Sequence, residues 1–69
     1  VSIDKVLASN LRKAREAKGL TLKDVVKATG YTEVSISRWE TGERIPKVTA
    51  VYNLAKFYGV SIDRLFWKE

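Results

Sequence analysis

Residues 21–42 read TLKDVVKATGYTEVSISRWETG, and the order of caps and stops in this run decides the fold. Thr21 is a helix start: its hydroxyl can accept from the amide near Asp24, whose carboxylate can reach back in a variant of the capping box. Val25, Val26 and Ala28 then supply a small apolar face, and Gly30 stops the helix. With only about eight residues this helix cannot persist alone in water, so packing must hold it. Thr32 caps again, and a second helix runs from Glu33 to about Thr41, where Gly42 ends it.

Upstream, Ser2 and Asp4 are N-cap candidates, after which Leu7, Leu11, Ala14 and Lys18 recur at helical spacing with Val6 and Ala17 alongside. Gly19 closes that amphipathic helix, and Lys18 in the last turn suits the carbonyl end of its dipole. Downstream, Arg44-Ile45-Pro46 reads as a loop, because proline disfavours helical geometry at the residue before it. Val48, Val51, Leu54, Ala55 and Tyr58 follow at helical spacing, and Gly59 closes that helix. Ser61 caps a last short helix, with Asp63 in its first turn and Leu65 and Phe66 turned inward. The predicted helices therefore span about residues 3–18, 22–29, 33–41, 48–58 and 62–67. No alternating strand pattern, repeat or low-complexity segment interrupts them, so the expected fold is all-α, compact and five-helical. Residues 1–69 are expected to be a single domain, since independent cores rarely appear below roughly 50 residues. At its centre a helix, a short turn with glycine and a second helix make the helix-turn-helix outline.

Composition narrows the function. The chain is 45% apolar, more than a highly charged disordered segment would carry. It has no cysteine and no histidine, which removes disulfides, thiolate metal sites and the commonest general base. Without a convergent nucleophile and base or a glycine-rich phosphate loop, an enzyme is not expected, nor a cofactor or metal. Apolar runs such as Leu65-Phe66-Trp67 fall far short of the ~20 residues that cross a bilayer, and there is no signal-peptide layout, so a cytoplasmic protein without a membrane partner is expected. Because the chain starts at Val1 and contains no methionine, it is expected to be a processed product or a piece of a longer protein. The net charge is +5, with seven bases against three acids in residues 1–30 and six against five in 31–69. A surplus of +4 in the first half and +1 in the second favours a polyanionic partner met by a surface made largely from the first half.

The third helix is divided by its own geometry. At about 100° per residue from Glu33, Ile36 falls near 300°, Trp39 near 240° and Ser35 near 200°, toward the core. Val34, Ser37, Arg38 and Thr41 fall between about 40° and 140° and, with Glu33, face away. That outward strip of carboxylate, methyl pair, hydroxyl and guanidinium is suited to reading base edges. In a major groove, arginine can bond guanine at two points, glutamate can accept from the cytosine amino group, and valine can touch a thymine methyl. The strip sits on the second helix of the helix-turn-helix, where the groove-entering element belongs.

Three stretches carry a resemblance. Leu11 to Thr21 looks like the first helix and turn of the phage repressor and Cro group and the related xenobiotic-response-element regulators of bacteria. The run Ile36-Ser37-Arg38-Trp39-Glu40-Thr41-Gly42-Glu43-Arg44-Ile45-Pro46 resembles their recognition-helix end, and Leu54 to Asp63 their closing helices. The likeness covers Leu7 to Phe66. It implies the five-helix repressor domain, sequence-specific binding of double-stranded DNA, and a homodimer on a near-palindromic operator. It further implies that Thr32, Glu33, Val34, Ser37 and Arg38 face the groove, and that Arg15 and Glu40 form an ion pair fastening helix 1 to the end of helix 3. Arg44 and Lys47 match contacts to the sugar-phosphate backbone, with Thr41 and Lys23 beside them and Lys27 as a further neighbour.

Two residues depart from the pattern. Leu22 stands where many relatives place a glutamine, so that amide contact is lost. Glu33 sets a negative charge beside the polyanion, which should weaken indiscriminate binding and reward a cytosine at one position. Glu43 also repels phosphate unless it pairs with Arg44 or points away. Trp39, Tyr58 and Phe66 fall at core spacings, whereas Tyr52, Phe57 and Trp67 fit the core less well and are candidates for a dimer surface. A transcriptional regulator, most simply a repressor, is the expected function. The alternatives are an antitoxin that binds a toxin protein as well as its own promoter, or a protein-interaction module. A toxin or antirepressor protein would then be a partner.

Overall fold

The structure, a computed structural model, describes residues 3–68. Its helices are α1 (Ile3–Ala17), α2 (Leu22–Thr29), α3 (Glu33–Thr41), α4 (Val48–Tyr58) and α5 (Ile62–Leu65), with no strand among the described residues. Ser2, an expected cap, lies outside them. α1 lies along α3 and also meets α4 and α5, while α2 packs on α3 and α4. The helices enclose a core of Leu7, Leu11, Val25, Ile36, Val51, Leu54, Ala55, Tyr58 and Leu65.

The caps act as local chemistry dictates. Thr21 accepts from the Asp24 amide at 3.2 Å while the Asp24 carboxylate accepts from the Thr21 amide at 2.9 Å, a complete capping box. The Thr21 amide first, and the Thr21 hydroxyl second, hold the Asp24 carboxyl below its ordinary range. α2 ends where Gly30 takes φ +81°, which lets its N–H reach the Val26 carbonyl at 2.9 Å. Two residues later Thr32 opens α3, accepting from the Ser35 amide at 3.1 Å. This turn fixes the crossing of α2 and α3.

The structure corrects the sequence reading at the ends of elements. α1 stops at Ala17, so Ala17 and Lys18 are exposed instead of extending the apolar face. Ala28 is exposed as well; Thr29 turns inward in its place and donates to the Val25 carbonyl at 2.7 Å. On α4 the buried residues centre near Leu54 and Tyr58, about 90° around the wheel from Val48, which stands in the open first turn at 77% exposure. α5 ends at Leu65, not at residue 67, and Phe66 leaves the helix and is 36% exposed.

Candidate nucleic-acid interface

α3 is anchored from behind by three consecutive contacts. Ile36 is 1% exposed in the core. Trp39 is half-buried and stands edge-on to Tyr31, ring centres 5.1 Å apart at 77°, and the Tyr31 hydroxyl accepts from the Asn53 side chain at 2.9 Å. Glu40 faces Arg15 of α1 through two parallel bonds, Nε to Oε2 at 2.8 Å and Nη2 to Oε1 at 3.0 Å. Both side chains are largely covered, at 13% and 6% exposure, and Arg15 Nη1 donates to the Leu20 carbonyl at 2.9 Å. The guanidinium thus ties α3 to α1 and to the turn before α2. Its bond to Glu40 holds its proton more tightly than an ordinary arginine does, despite partial burial. The adjacent Tyr58 hydroxyl is pushed up to about 12, first by burial and then by the Glu40 charge, with Arg15 opposing.

With its back fixed, α3 leaves Glu33, Val34 and Arg38 exposed, and Ser37 half-covered beside them. Val34 is 59% exposed, a large apolar side chain left in water at the middle of this face. Nine residues make the helix about 13 Å long, comparable to the width of a major groove. Thr32 sits at the entry, but its hydroxyl already donates to Ser35 Oγ at 2.9 Å, so its methyl is the part left to meet a ligand. Ser35, read as core-facing, is only half-buried because it serves that cap.

The exit loop is equally fixed. Gly42 adopts φ +83°, the Arg44 amide donates to the Arg38 carbonyl at 3.1 Å, and the Thr41 hydroxyl donates to the same carbonyl at 3.2 Å. Arg44 and Lys47 project from this loop, exposed, at the end of α3, and Lys23 and Lys27 are exposed on α2. Glu43 pairs not with Arg44 but with Arg38, at 3.4 Å and with both side chains open to water. The carboxylate therefore occupies the guanidinium that the outward strip depends on. Leu22 is half-buried against the core and plugs the turn.

The three aromatic residues read as one dimer surface are not brought together. Tyr52 and Phe57 lie about 140° apart on α4, and Trp67 lies against α1, where Asn10 donates to its carbonyl at 2.8 Å. Tyr52 instead shares its side of α4 with Val48, and these two, like Ile45 in the preceding loop, are more than half exposed. Asn10 and Tyr31 were not singled out from the sequence. A polar amide in the middle of an amphipathic helix is the signal that could have found Asn10, since such a residue asks for a carbonyl partner. Among the described residues no group of acidic side chains could hold a metal ion, and no helix is long and apolar enough to cross a membrane.

The sequence model of the helix-turn-helix family matches residues 11–65. An uncharacterized HTH-type transcriptional regulator, y4dJ of Sinorhizobium fredii, is 39% identical over 57 residues, covering 83% of this chain and 74% of that protein. The HTH-type transcriptional activator BcrR of Enterococcus faecalis is 31% identical over 59 residues, covering 86% of this chain but only 29% of its own length. Among solved structures, the DNA-binding domain of BldD from S. venezulae superposes with a TM-score of 0.83 at 32% identity, covering 93% of this chain and 96% of that one.

Proposed function

The chain belongs to the helix-turn-helix family, of the repressor and Cro type, and on that premise we propose that it is a sequence-specific, double-stranded-DNA-binding transcriptional regulator with α3 seated in the major groove. The observation that carries this is the division of α3: Ile36, Trp39 and Glu40 are held from behind, while Glu33, Val34 and Ser37 face outward together with Arg38, whose water-exposed pair with Glu43 a ligand must displace. In this reading Arg38 bonds a guanine, Glu33 accepts from a cytosine, Val34 meets a thymine methyl and Ser37 adds an adaptable hydroxyl, with the Thr32 methyl at the edge. Arg44, Lys47 and Lys23 neutralise phosphates and set the register, with Thr41 offering its remaining lone pair to water at the backbone. Two copies bind a near-palindromic operator, and the stripe of Ile45, Val48 and Tyr52 supplies the self-association surface. Occupying that operator in the cytoplasm excludes polymerase, so the regulatory sense is repression.

Selection of bound duplexes from a random pool, read at two salt concentrations, tests the reading. A near-palindromic sequence should be enriched, and affinity should fall steeply with salt, as about 4–6 phosphate contacts per copy require. Glu33→Gln should raise affinity for unrelated DNA and relax the preference at one base pair. No enriched sequence, or binding insensitive to salt, would overturn it and favour a protein-interaction module.

A further inference from the structure

The side of α1 turned away from α3 carries a feature that groove reading does not use. On α1, Ala8 and Arg15 point to α3: Ala8 Cβ lies 3.7 Å from where a side chain on Gly42 would begin, and Arg15 grips Glu40. Val6, Asn10, Lys13 and Ala17 lie about 140–200° around the helix from Ala8. There, two adjoining hollows of about 240 and 270 Å³ share Asn10, Lys13 and Trp67 and form one trough between α1 and the segment after α5. Its floor is Val6, Ala14, Val60 and the Trp67 ring; its rim carries Lys5, Arg64 and Lys68, and none of the lining residues among those described is acidic.

Trp67 is 58% exposed yet held in place. The Asn10 amide donates to the carbonyls of Leu65 at 2.9 Å and Trp67 at 2.8 Å, and the Arg64 guanidinium stands 5.5 Å from the indole centre. A large aromatic ring left in water beside a hollow is the composition of a partner surface. The chemistry of the occupant follows from the two parts of the trough. The floor calls for aliphatic or aromatic side chains, and the rim calls for carboxylates. Nucleic acid or phosphate would satisfy the rim but leave the floor wet. A second copy of this chain would bring another net charge of +5 to a basic face.

We propose that this trough docks an acidic, amphipathic peptide segment of a partner protein, on the face opposite α3. The proposal holds independently of what α3 binds. Because the trough and α3 lie on opposite sides of α1, the partner and a duplex can be bound at the same time.

The probe is a fluorescein-labelled synthetic peptide with Leu and Phe at helical spacing among Asp and Glu. One control replaces its acids by Asn and Gln, and the other replaces Leu and Phe by Ser. By fluorescence anisotropy the 69-residue chain should bind the probe at least about tenfold more tightly than either control. Trp67→Ala, and separately the surface pair Lys5→Glu and Lys68→Glu, should each weaken binding by about tenfold. Amide chemical shifts should move along α1 and residues 60–68, not along α3. Equal binding of all three peptides, no binding, or shifts centred on α3 would overturn the proposal. So would inorganic phosphate or duplex DNA moving the same amides where the peptide does not, which would make the trough an anion site. Self-association in sedimentation that Trp67→Ala abolishes, without peptide binding, would overturn it in favour of a second copy.

Discussion

Replacing Arg15 by methionine removes three hydrogen bonds at 2.8–3.0 Å and leaves the Glu40 carboxylate, 6% exposed, facing no cation. Breaking a fully buried pair costs about 3–5 kcal/mol; because Arg15 retains some contact with water, the lower end applies, about 3 kcal/mol. A domain of this length is expected to have roughly 3–10 kcal/mol of stability in total. The loss should therefore lower the melting temperature by on the order of 15 °C, at about 4–8 °C per kcal/mol. Glu40→Leu alone leaves Arg15 only the Leu20 carbonyl and should cost about 2 kcal/mol. The double variant removes both charges and restores apolar contact, so it should lose only about 1 kcal/mol, chiefly for the orphaned Leu20 carbonyl. The coupling read from a urea-denaturation cycle should then be about 4 kcal/mol. Single losses below about 0.5 kcal/mol, or a double variant no better than the worse single, would show that the pair is a surface decoration and not the fastening of α3.

Three further outcomes are expected. Gly30→Ala should cost about 1–2 kcal/mol from its φ of +81° alone, because no atom lies within 4 Å of the added carbon; an unchanged thermal melt would contradict the left-handed turn between α2 and α3. Tyr58 ionises near 10 when unfolded and at about 12 when folded, so the stability it contributes is complete below pH 10 and drains away between pH 10 and 12. Tyr58→Phe should flatten that alkaline fall by about 2–3 kcal/mol in urea titrations, and an identical pH profile would refute the assignment. Asn10→Ala should cost about 1–2 kcal/mol and speed amide hydrogen exchange at Phe66 and Trp67 beyond the global change, whereas uniform acceleration would mean that the amide does not pin this segment.

Much of this molecule is legible in its order of residues because its punctuation is local. Thr21, Thr32 and Ser61 cap, and Gly30, Gly42 and Gly59 stop, through bonds that reach only a few positions along the chain. The outward side of α3 is legible for a related reason: Ile36 and Trp39 fix which side is inward, and helical geometry assigns the rest. Position along the helix axis is what periodicity misses. Val48 has the spacing of a core residue but stands at an open end, and Phe66 follows a helix that has already stopped. Nor can spacing reveal pairs far apart in sequence. The bonds from Asn10 to residues 64–67, the bond from Asn53 to Tyr31 and the choice of Arg38 over Arg44 by Glu43 are properties of packing. The separation of Tyr52, Phe57 and Trp67 likewise needs the assembled helices.

The rear anchorage of α3 has an evolutionary consequence. Ile36 alone is deeply sunk, with Trp39 and Glu40 completing the attachment, and none of these three belongs to the outward set. Exchanging Glu33, Val34 or Arg38 for other side chains thus disturbs little of what keeps the molecule folded. A lineage built on this scaffold can drift from one target to another by a few surface replacements, without passing through unstable ancestors.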